Sequence, residues 1–580
     1  MSTRNVKSWV WRRQLVLFGF LVLAAGLALR AVQLQIVQHD FLRGEGDARH
    51  HRTVSIPAHR GNLLDRNGAP LAVSTPIDSV WAVPADVLEH SVRLAELAQT
   101  LSLDELALRE KLQRAAAQKK EFAYIQRHIR PDVAEAVDAL EIPGVAMLRE
   151  YRRYYPSGRA AAHVVGFTDI DDRGREGMEM AYEDWLSGKP GVRRVVRDLN
   201  GREIEGINTI ETAIPGQDLR LSIDKQLQFF ADRALTEAVK EHKAESASLV
   251  IMDVKSGEVL AMANYPSYNP NSVTERQGGK QRNRSITDVF EPGSTMKPFT
   301  IGAALMSGRF KTEDIVYTSP GHYSIGKYEV RDTGDYGWLD LGGIIKKSSN
   351  VGVSKVATQL EPVQMWEVFD ELGFGRPPGS AFPGEVAGYF NHPTLWHHVE
   401  QATLSYGYGI SVSALQLVRA YSTIANDGIM PQVSFVRVET PAEGHRVIPS
   451  AVARQLHGML ESVVSDEGTG KFARIPGYRV AGKTGTSHRA QGGGYAEDRY
   501  VSVFAGFAPV SDPRFAAVVV IHDPSAGEHY GGAVAAPVFS SVMSNALRLQ
   551  AVEPDNVSGA DLRAQLRKGA TPVVDEGDRS

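Results

Sequence analysis

The sequence predicts an α+β, multi-domain protein carrying one N-terminal transmembrane helix. Three observations point there: an uncharged apolar run close to the N-terminus, a change of character near Pro215-Gly216, and an alternation of strand-like and helix-like segments from there to about residue 547. The 580 residues, 43% of them hydrophobic, can bury more than one core, so two domains are expected beyond the membrane helix. A net charge of -4, from 64 basic and 68 acidic residues, gives no global attraction to nucleic acid, and no nucleic-acid partner is expected. The absence of cysteine excludes disulfides, thiolate metal sites and a cysteine nucleophile, and is compatible with an oxidising compartment.

Residues 15–29 (LVLFGFLVLAAGLAL) carry no charged or hydrogen-bonding side chain. Extended back through Trp9, Val10 and Trp11, the run is long enough to span hydrocarbon, with the indoles at an interface. Arg4, Lys7, Arg12 and Arg13 precede it and no acid occurs among the first 13 residues, so the positive-inside rule assigns residues 1–14 to the cytoplasm, 15–35 to the anchor and the rest to the far side. A cleaved signal peptide is the competing reading, since Ala24, Ala25, Gly26 and Ala28 are small; Arg30, able to snorkel, favours an uncleaved anchor. Val32, Leu34, Ile36 and Val37 can extend the helix outward before the polar RGEGDARHHR.

Residues 40–215 read as an α+β domain without a catalytic constellation of its own. HRGNLLDRNGAPLAVS (59–74) pairs two strand-like segments around Asn67-Gly68, a strong two-residue hairpin signal. Residues 86–140 contain small amphipathic helices such as DELALREKLQRAAAQ, and 152–191, rich in Gly, Arg and acids, read as turns around one short helix. Residues 216–550 form the second domain. It opens with LRLSIDKQLQFFADRALTEAVKEH, a strand and an amphipathic helix, followed by ASLVIMDVKSGEVLAMANYP, two strands around Lys255-Ser256-Gly257. The acidic-polar tail, 551–580, is expected to be loose.

Ser-x-x-Lys occurs at Ser222 with Lys225, at Ser294 with Lys297 and at Ser324 with Lys327, so the spacing alone proves nothing and position must decide. Ser222 lies in the strand-like LRLSID, where residues three apart face opposite ways, and Ser324 in HYSIGKYEV, a hairpin with Gly326 in its turn. Ser294 instead follows Pro292-Gly293 and precedes TMKPFTIGAALMSG, which reads as a helix with Pro298 in its first turn. Positions i and i+3 then share a face and bring the Lys297 amine beside the Ser294 hydroxyl, at a helix N-terminus whose free N–H groups suit an oxyanion. Downstream, Ser348-Ser349-Asn350 opens a helix in KKSSNVGVSKVATQL, and Lys483-Thr484-Gly485-Thr486 ends the strand-like YRVAGKTGTS. Singly these have bland readings: Ser348 as a helix N-cap, Lys483 as an exposed strand lysine, Gly485 as a bulge. The ordered set of SxxK, SxN and KTG, followed by the strands RYVSVFAGFAP and RFAAVVVIHDP, is hard to reach by chance.

That set resembles the penicillin-binding proteins and class A β-lactamases. RNRSITDVFEPGSTMKPFT, ANYPSYNPN, RGNLLDRNG and YGYGISVSALQLVRAYSTIANDG extend the resemblance over nearly the whole chain to the class B penicillin-binding proteins. Glu291 before PGST is similar to the septal, FtsI-type D,D-transpeptidases of Gram-negative bacteria, the elongation-type relatives usually having Pro there. The resemblance implies an extended pedestal of the dimerisation type over 40–215 and a C-terminal transpeptidase domain over 216–550, an antiparallel sheet flanked by helices. It implies catalytic roles for Ser294, Lys297, Ser348, Asn350 and Lys483, and substrate contacts from Thr484, Gly485, Thr486, Tyr406 and Tyr408, with Tyr530 of similar character. It also implies a backbone oxyanion hole at Ser294 and Thr486, and no metal or other cofactor. The expected partners are peptidoglycan stem peptides, as D-Ala-D-Ala donor and amine acceptor, β-lactams, the inner membrane, an FtsW-type glycosyltransferase and other division proteins, with the catalytic domain in the periplasm. Arg60, Gly61, Asp65, Arg66, Gly68, Arg153, Gly158, His163, Gly174, Gly177 and Glu179 match motifs by which the family joins and orients the pedestal, which makes His163 structural.

Other readings carry less. A β-lactamase needs neither anchor nor a large preceding domain, and a β-lactam sensor needs a cytoplasmic signalling module that residues 1–14 cannot hold. A bifunctional glycosyltransferase needs a further catalytic region. A non-catalytic division scaffold has no use for all five polar residues of the motifs.

Overall fold

The computed structural model describes residues 5–39, 51–197, 203–491 and 494–556. The start of the expected cytoplasmic segment, the polar stretch at 40–50 and the tail from 557 lie outside them. Helix α1, Asn5–Val32, has 28 residues, about 42 Å at 1.5 Å per residue, more than the hydrocarbon thickness requires. A single π-helical turn, Gln33–Val37, continues it, closed by Gln38 N–H donating to the Gln33 carbonyl at 2.8 Å. Within Val10–Val37 an 18-residue window has a mean hydropathy of 2.4, and the stretch is, among the described residues, the one helix long and apolar enough to cross a membrane.

The rest of the described chain forms two compact units that interleave in sequence. One draws on residues 1–59, 75–152 and 188–216, the other on 60–74, 153–187 and 217–580. In the first, Gly191–Arg197 pairs antiparallel with both His51–Ile56 and Glu203–Glu211. The expected amphipathic helices are present at Pro84–Glu89, Leu94–Thr100, Glu105–Ala117 and Pro131–Asp138, interrupted by the strand Ala123–Ile129. They bury Leu94, Leu97, Leu108 and Leu112 against Ile125 and Ile129. Asp104 caps the longest of them, accepting from Ala107 N–H at 2.8 Å.

The segments 60–74 and 153–187, assigned from sequence to the first domain, fold with the second unit and contain every one of the matched pedestal motif residues. Bonds to later residues tie them there: Arg66 N–H donates to the Ile223 carbonyl at 2.9 Å, Tyr155 N–H to Asn271 Oδ1 at 3.0 Å and Arg276 Nη1 to the Thr168 carbonyl at 2.9 Å. A buried charge cluster joins the two segments to each other. Glu179 accepts from Arg60 Nε at 2.8 Å and from Arg153 Nε at 2.6 Å, all three side chains being buried, and Arg153 also donates to Ser74 Oγ at 3.0 Å. Removing the carboxylate leaves the buried Arg153 without its charge partner and Arg60 with Glu183 alone, at 2.7 Å, so Glu179→Ala is expected to cost about 3–5 kcal/mol, read as a lowered denaturation midpoint. The single short helix expected over 152–191 is instead four short helical pieces, Gly158–Ala161, Ala162–Val165, Gly177–Ala181 and Glu183–Leu186. His163 is buried, donates from Nε2 to the Lys280 carbonyl at 2.8 Å, and is pushed by burial down to about 4, which leaves it neutral at pH 7. The hairpin around Asn67-Gly68 forms, with Asp65 Oδ1 accepting from Asn67 and Ala69 N–H groups at 2.8 and 2.7 Å.

The second unit is built on a five-stranded antiparallel sheet: β1 (Ser246–Asp253), β2 (Val259–Tyr265), β3 (Ala481–Gln491), β4 (Gly494–Ala508) and β5 (Phe515–His522), in the order β2-β1-β5-β4-β3. Its two faces carry separate cores. Leu249, Ile251, Val519 and Ile521 pack toward helices α2 (Lys225–His242) and α8 (Ala536–Leu549), while Val250, Met252, Val518 and Val520 join the core of α3 (Lys297–Met306), α6 (Ala414–Ala425) and α7 (Ser450–Val463). Because both faces are covered, Leu249–Met252 of β1 and Phe515–Ile521 of β5 read as unbroken apolar runs instead of alternating ones. Two shorter helices, α4 (Leu341–Lys347) and α5 (Asn350–Ala357), complete the set that matters for the site, and β3 lies at the sheet's edge.

Candidate active site

The three Ser-x-x-Lys matches part company in the fold. Ser222 is buried and spends its hydroxyl on the Val259 carbonyl at 2.7 Å, while Lys225 opens α2. Ser324 and Lys327 belong to the hairpin His322–Ile325 and Tyr328–Arg331. Ser294 lies in a 3-10 turn, Gly293–Met296, that leads into α3, so the α-helix begins at Lys297, three residues later than Ser294 itself. The turn is pinned on several sides: Thr295 Oγ1 donates to the Pro292 carbonyl at 2.7 Å, Tyr421 OH to the Thr295 carbonyl at 2.9 Å and Ser487 Oγ to the Glu291 carbonyl at 2.8 Å. Gly407, at φ +85°, passes so close that a Cβ there would sit 2.2 Å from the Gly293 carbonyl oxygen, which only glycine permits. Ser294 itself stays partly exposed.

Lys297 is fully buried, and its amine makes a different set of bonds from the one expected. It donates to the Ser348 carbonyl, to Ser348 Oγ at 3.1 Å and to Asn350 Oδ1 at 2.8 Å, and among the described residues no bond joins it to Ser294. Three oxygen acceptors lie within reach of the amine on that side. They come from the α4–α5 junction. Ser348 closes α4 in the left-handed region, at φ +59° and ψ 38°, a conformation costing about 1–3 kcal/mol for a non-glycine residue and typical of functional sites. The N-cap of α5 is Ser349, not Ser348: Ser349 Oγ accepts from Gly352 N–H at 2.8 Å and donates to Asp332 Oδ2 at 2.5 Å. Freed from capping, the Ser348 hydroxyl faces the two lysines.

Lys483 is likewise buried, not exposed on its strand. Its amine donates to Ser348 Oγ at 2.9 Å, and to Thr484 O at 3.1 Å and Oγ1 at 3.3 Å, so Ser348 Oγ sits between two amines. Burial, joined by the neighbouring Lys483 and opposed by Asp332, holds the Lys297 amine well below the usual lysine range. Burial alone pushes Lys483 down to about 7. The pair titrates as a unit.

A cleft of about 620 Å³ opens onto this cluster, within the range of ligand sites. Ser294, Ser348 and Asn350 line it together with Thr484 and Thr486 of β3 and with Tyr408, Tyr500, His529 and Tyr530. Thr486 Oγ1 accepts from Gly531 N–H at 3.0 Å, and Thr484 Oγ1 pairs with Thr469 Oγ1 at 2.9 Å. Gly485 does not line the cleft. A Cβ there would meet the Pro292 carbonyl oxygen at 2.7 Å, and its smallness lets the edge strand lie against the Ser294 turn; the strand's register shift is further on, between His488 and Ala490. Tyr406 also stays off the cleft and packs edge-on against Tyr408, ring centroids 5.7 Å apart.

Asp332 was not foreseen. Its Oδ1 accepts from the Asn350 and Val351 N–H groups at 2.5 and 3.0 Å, holding Asn350 at the start of α5, and its charge favours the protonated form of Lys297. A lone aspartate after a hairpin carries no motif, so nothing in the sequence singled it out. The stacked pair Tyr500 and His529, centroids 4.0 Å apart, was equally silent. Among the described residues no group of three or more His, Asp or Glu is arranged to hold a metal ion.

Comparison with known proteins places this geometry. The model of the penicillin binding protein transpeptidase domain matches residues 247–544, and that of the penicillin-binding protein dimerisation domain matches 55–221. Over 565 residues the chain is 42% identical to the peptidoglycan D,D-transpeptidase FtsI of Escherichia coli K12, covering 96% of this chain and 94% of that one. It is 41% identical over 547 residues to the probable peptidoglycan D,D-transpeptidase PbpC of Pseudomonas aeruginosa, covering 94% and 96%. Among solved structures, the apo transpeptidase domain of Burkholderia pseudomallei penicillin-binding protein 3 is similar at 41% identity and a TM-score of 0.54, over 58% of this chain and 97% of that one. Penicillin-binding protein 3 of Mycobacterium tuberculosis complexed with aztreonam is similar at 26% identity and a TM-score of 0.67, over 86% and 98%.

Proposed function

Because the chain belongs to the class B penicillin-binding protein transpeptidases, we propose that it cross-links septal peptidoglycan stem peptides through an acyl-enzyme on Ser294. The observation that carries the assignment of roles is the convergence of two buried lysine amines on the Ser348 hydroxyl beside a partly exposed Ser294. Neutral Lys297 takes the Ser294 proton as Oγ attacks the carbonyl between the two terminal D-alanines. The backbone N–H groups of Ser294 and Thr486 receive the oxyanion. Ser348 hands a proton to the departing D-Ala nitrogen and is reprotonated from Lys297. Asn350 holds the donor amide, while cationic Lys483 with the Thr484 and Thr486 hydroxyls binds the terminal carboxylate. An amine of a neighbouring stem peptide then attacks the acyl carbonyl, forming the new amide bond and returning the proton to the Ser294 hydroxyl. β-Lactams, imitating the D-Ala-D-Ala end, acylate the same oxygen.

Helix α1 acts as a single-pass anchor in the inner membrane, with the catalytic unit in the periplasm and an FtsW-type glycosyltransferase and other division proteins as partners. The apolar length of α1 and the absence of acid before it support that placement. Incubation of the protein with a fluorescent penicillin tests the enzymatic reading. A stoichiometric label that persists is expected; a label lost within seconds would make the protein a hydrolase, and a folded protein that never labels would make it a scaffold.

A further inference from the structure

Away from the cleft, a two-stranded ribbon made of Ile315–Tyr317 and Trp338–Asp340 presents an aromatic face that the reaction does not use. Alternation splits its side chains: Val316 and Leu339 pack into the core, and Ile315, Tyr317 and Trp338 point away from it. Tyr317 and Trp338 are direct cross-strand partners, ring centroids 4.8 Å apart, and remain 46% and 64% exposed. Lys355 Nζ, donating to the Tyr317 carbonyl at 2.8 Å, holds the ribbon to α5. Beside Tyr317 opens a groove of about 740 Å³ whose wall is polar: Arg309, Asp314, Lys355, Thr358 and Gln359 line it with Tyr323. Arg309 and Lys355 are donors and Asp314 an acceptor, and the Thr358 hydroxyl, which donates to Ser354 O at 2.9 Å, keeps its lone pairs to accept. Flat aromatic faces next to a groove of mixed donors and acceptors suit a sugar ring, whose C–H face stacks on an aromatic ring while its hydroxyl and acetamido groups seek hydrogen bonds. A protein epitope would call for a deeper apolar pocket than this flat ribbon offers.

We propose that the Tyr317–Trp338 face and the adjoining groove bind the N-acetylated aminosugar backbone of the peptidoglycan strand whose stem peptide enters the cleft. The inference rests on the transpeptidase reading and extends it from the peptide to the glycan. Continuity with the cleft argues for this occupant. Helix α5 begins with Asn350 in the cleft, and Lys355 on it and Thr358 at its C-cap line the groove, about 8–12 Å further along its axis, so one strand can reach both. The test compares the full-length protein with Trp338→Ala and with Tyr317→Ala/Trp338→Ala, using sedimentation with peptide-free glycan strands and, separately, labelling by fluorescent penicillin. The expected result is glycan binding by the wild type, weakened on the order of tenfold in Trp338→Ala and further in the double variant, with penicillin labelling unchanged in all. Absence of glycan binding by a wild type that labels normally overturns the inference while leaving the transpeptidase intact. Undiminished glycan binding by variants that label normally also overturns it and places the glycan elsewhere on the protein. Failure of the wild type to label sinks the transpeptidase reading instead.

Discussion

Ser294→Ala is expected to remove covalent penicillin labelling altogether, a loss on the order of 10⁶-fold, the scale on which loss of a serine nucleophile acts in other serine acyl-enzymes. The variant should remain folded, because the 3-10 turn is held by Thr295, Tyr421 and Ser487 and not by the Ser294 side chain. An unchanged denaturation midpoint together with complete loss of label would make Ser294 Oγ the acylated atom. A label that survives in Ser294→Ala would move the nucleophile elsewhere, and Ser348, the other hydroxyl contacted by Lys297, would be the first place to look.

Lys297→Arg should cost about 10²–10⁴-fold in acylation rate, the usual contribution of a general base. Arginine keeps the charge but stays protonated at any accessible pH, so it cannot accept the Ser294 proton. The pH profile distinguishes this from a packing defect. In the wild type the productive pair has Lys297 neutral and Lys483 charged. Raising the pH through the depressed range of the pair should therefore first increase the rate, as the first proton leaves, and then decrease it, as the second leaves. The expected bell has its acid limb far below the ordinary lysine range. Lys297→Arg should lose that limb and leave only a low rate without an acid-side rise. A variant that keeps the wild-type acid limb at reduced amplitude would show that another group takes the proton.

Much of this was legible in the sequence where a local pattern stands for a local structure. The Asn67-Gly68 hairpin, the helix after Pro215-Gly216 and the paired strands around Lys255-Ser256-Gly257 formed as expected, since turn residues and apolar period act over a few neighbours, whereas the strand read over LRLSID is only Leu219–Arg220 and leaves Ser222 outside it. Boundaries that depend on distant partners were not legible. Arg60, Arg153 and Glu179 come from segments read as one domain with the helices at 84–138, yet 60–74 and 153–187 belong to the other unit, tied to later residues by bonds such as Arg66 N–H to the Ile223 carbonyl and Tyr155 N–H to Asn271 Oδ1. Both faces of the central sheet are covered, so its inner strands show no alternation that would have told which side faces what.

By itself the sequence determined the apolar N-terminal helix, the order of the polar motifs and Ser294, among the three Ser-x-x-Lys serines, as the one that leads into a helix, because hydropathy over a helix length and the placement of a serine before a helix are local facts. Only the tertiary structure decided what Lys297 and Lys483 touch. Their shared partner, Ser348 Oγ, lies 51 residues from one and 135 from the other. The same packing buried both amines and lowered their proton affinity, put Asp332 at the start of α5, and turned Gly485 and Tyr406 away from the cleft. A residue's type limits the bonds it can form, but which bond forms, and in what dielectric, is set by the neighbours the fold brings within reach.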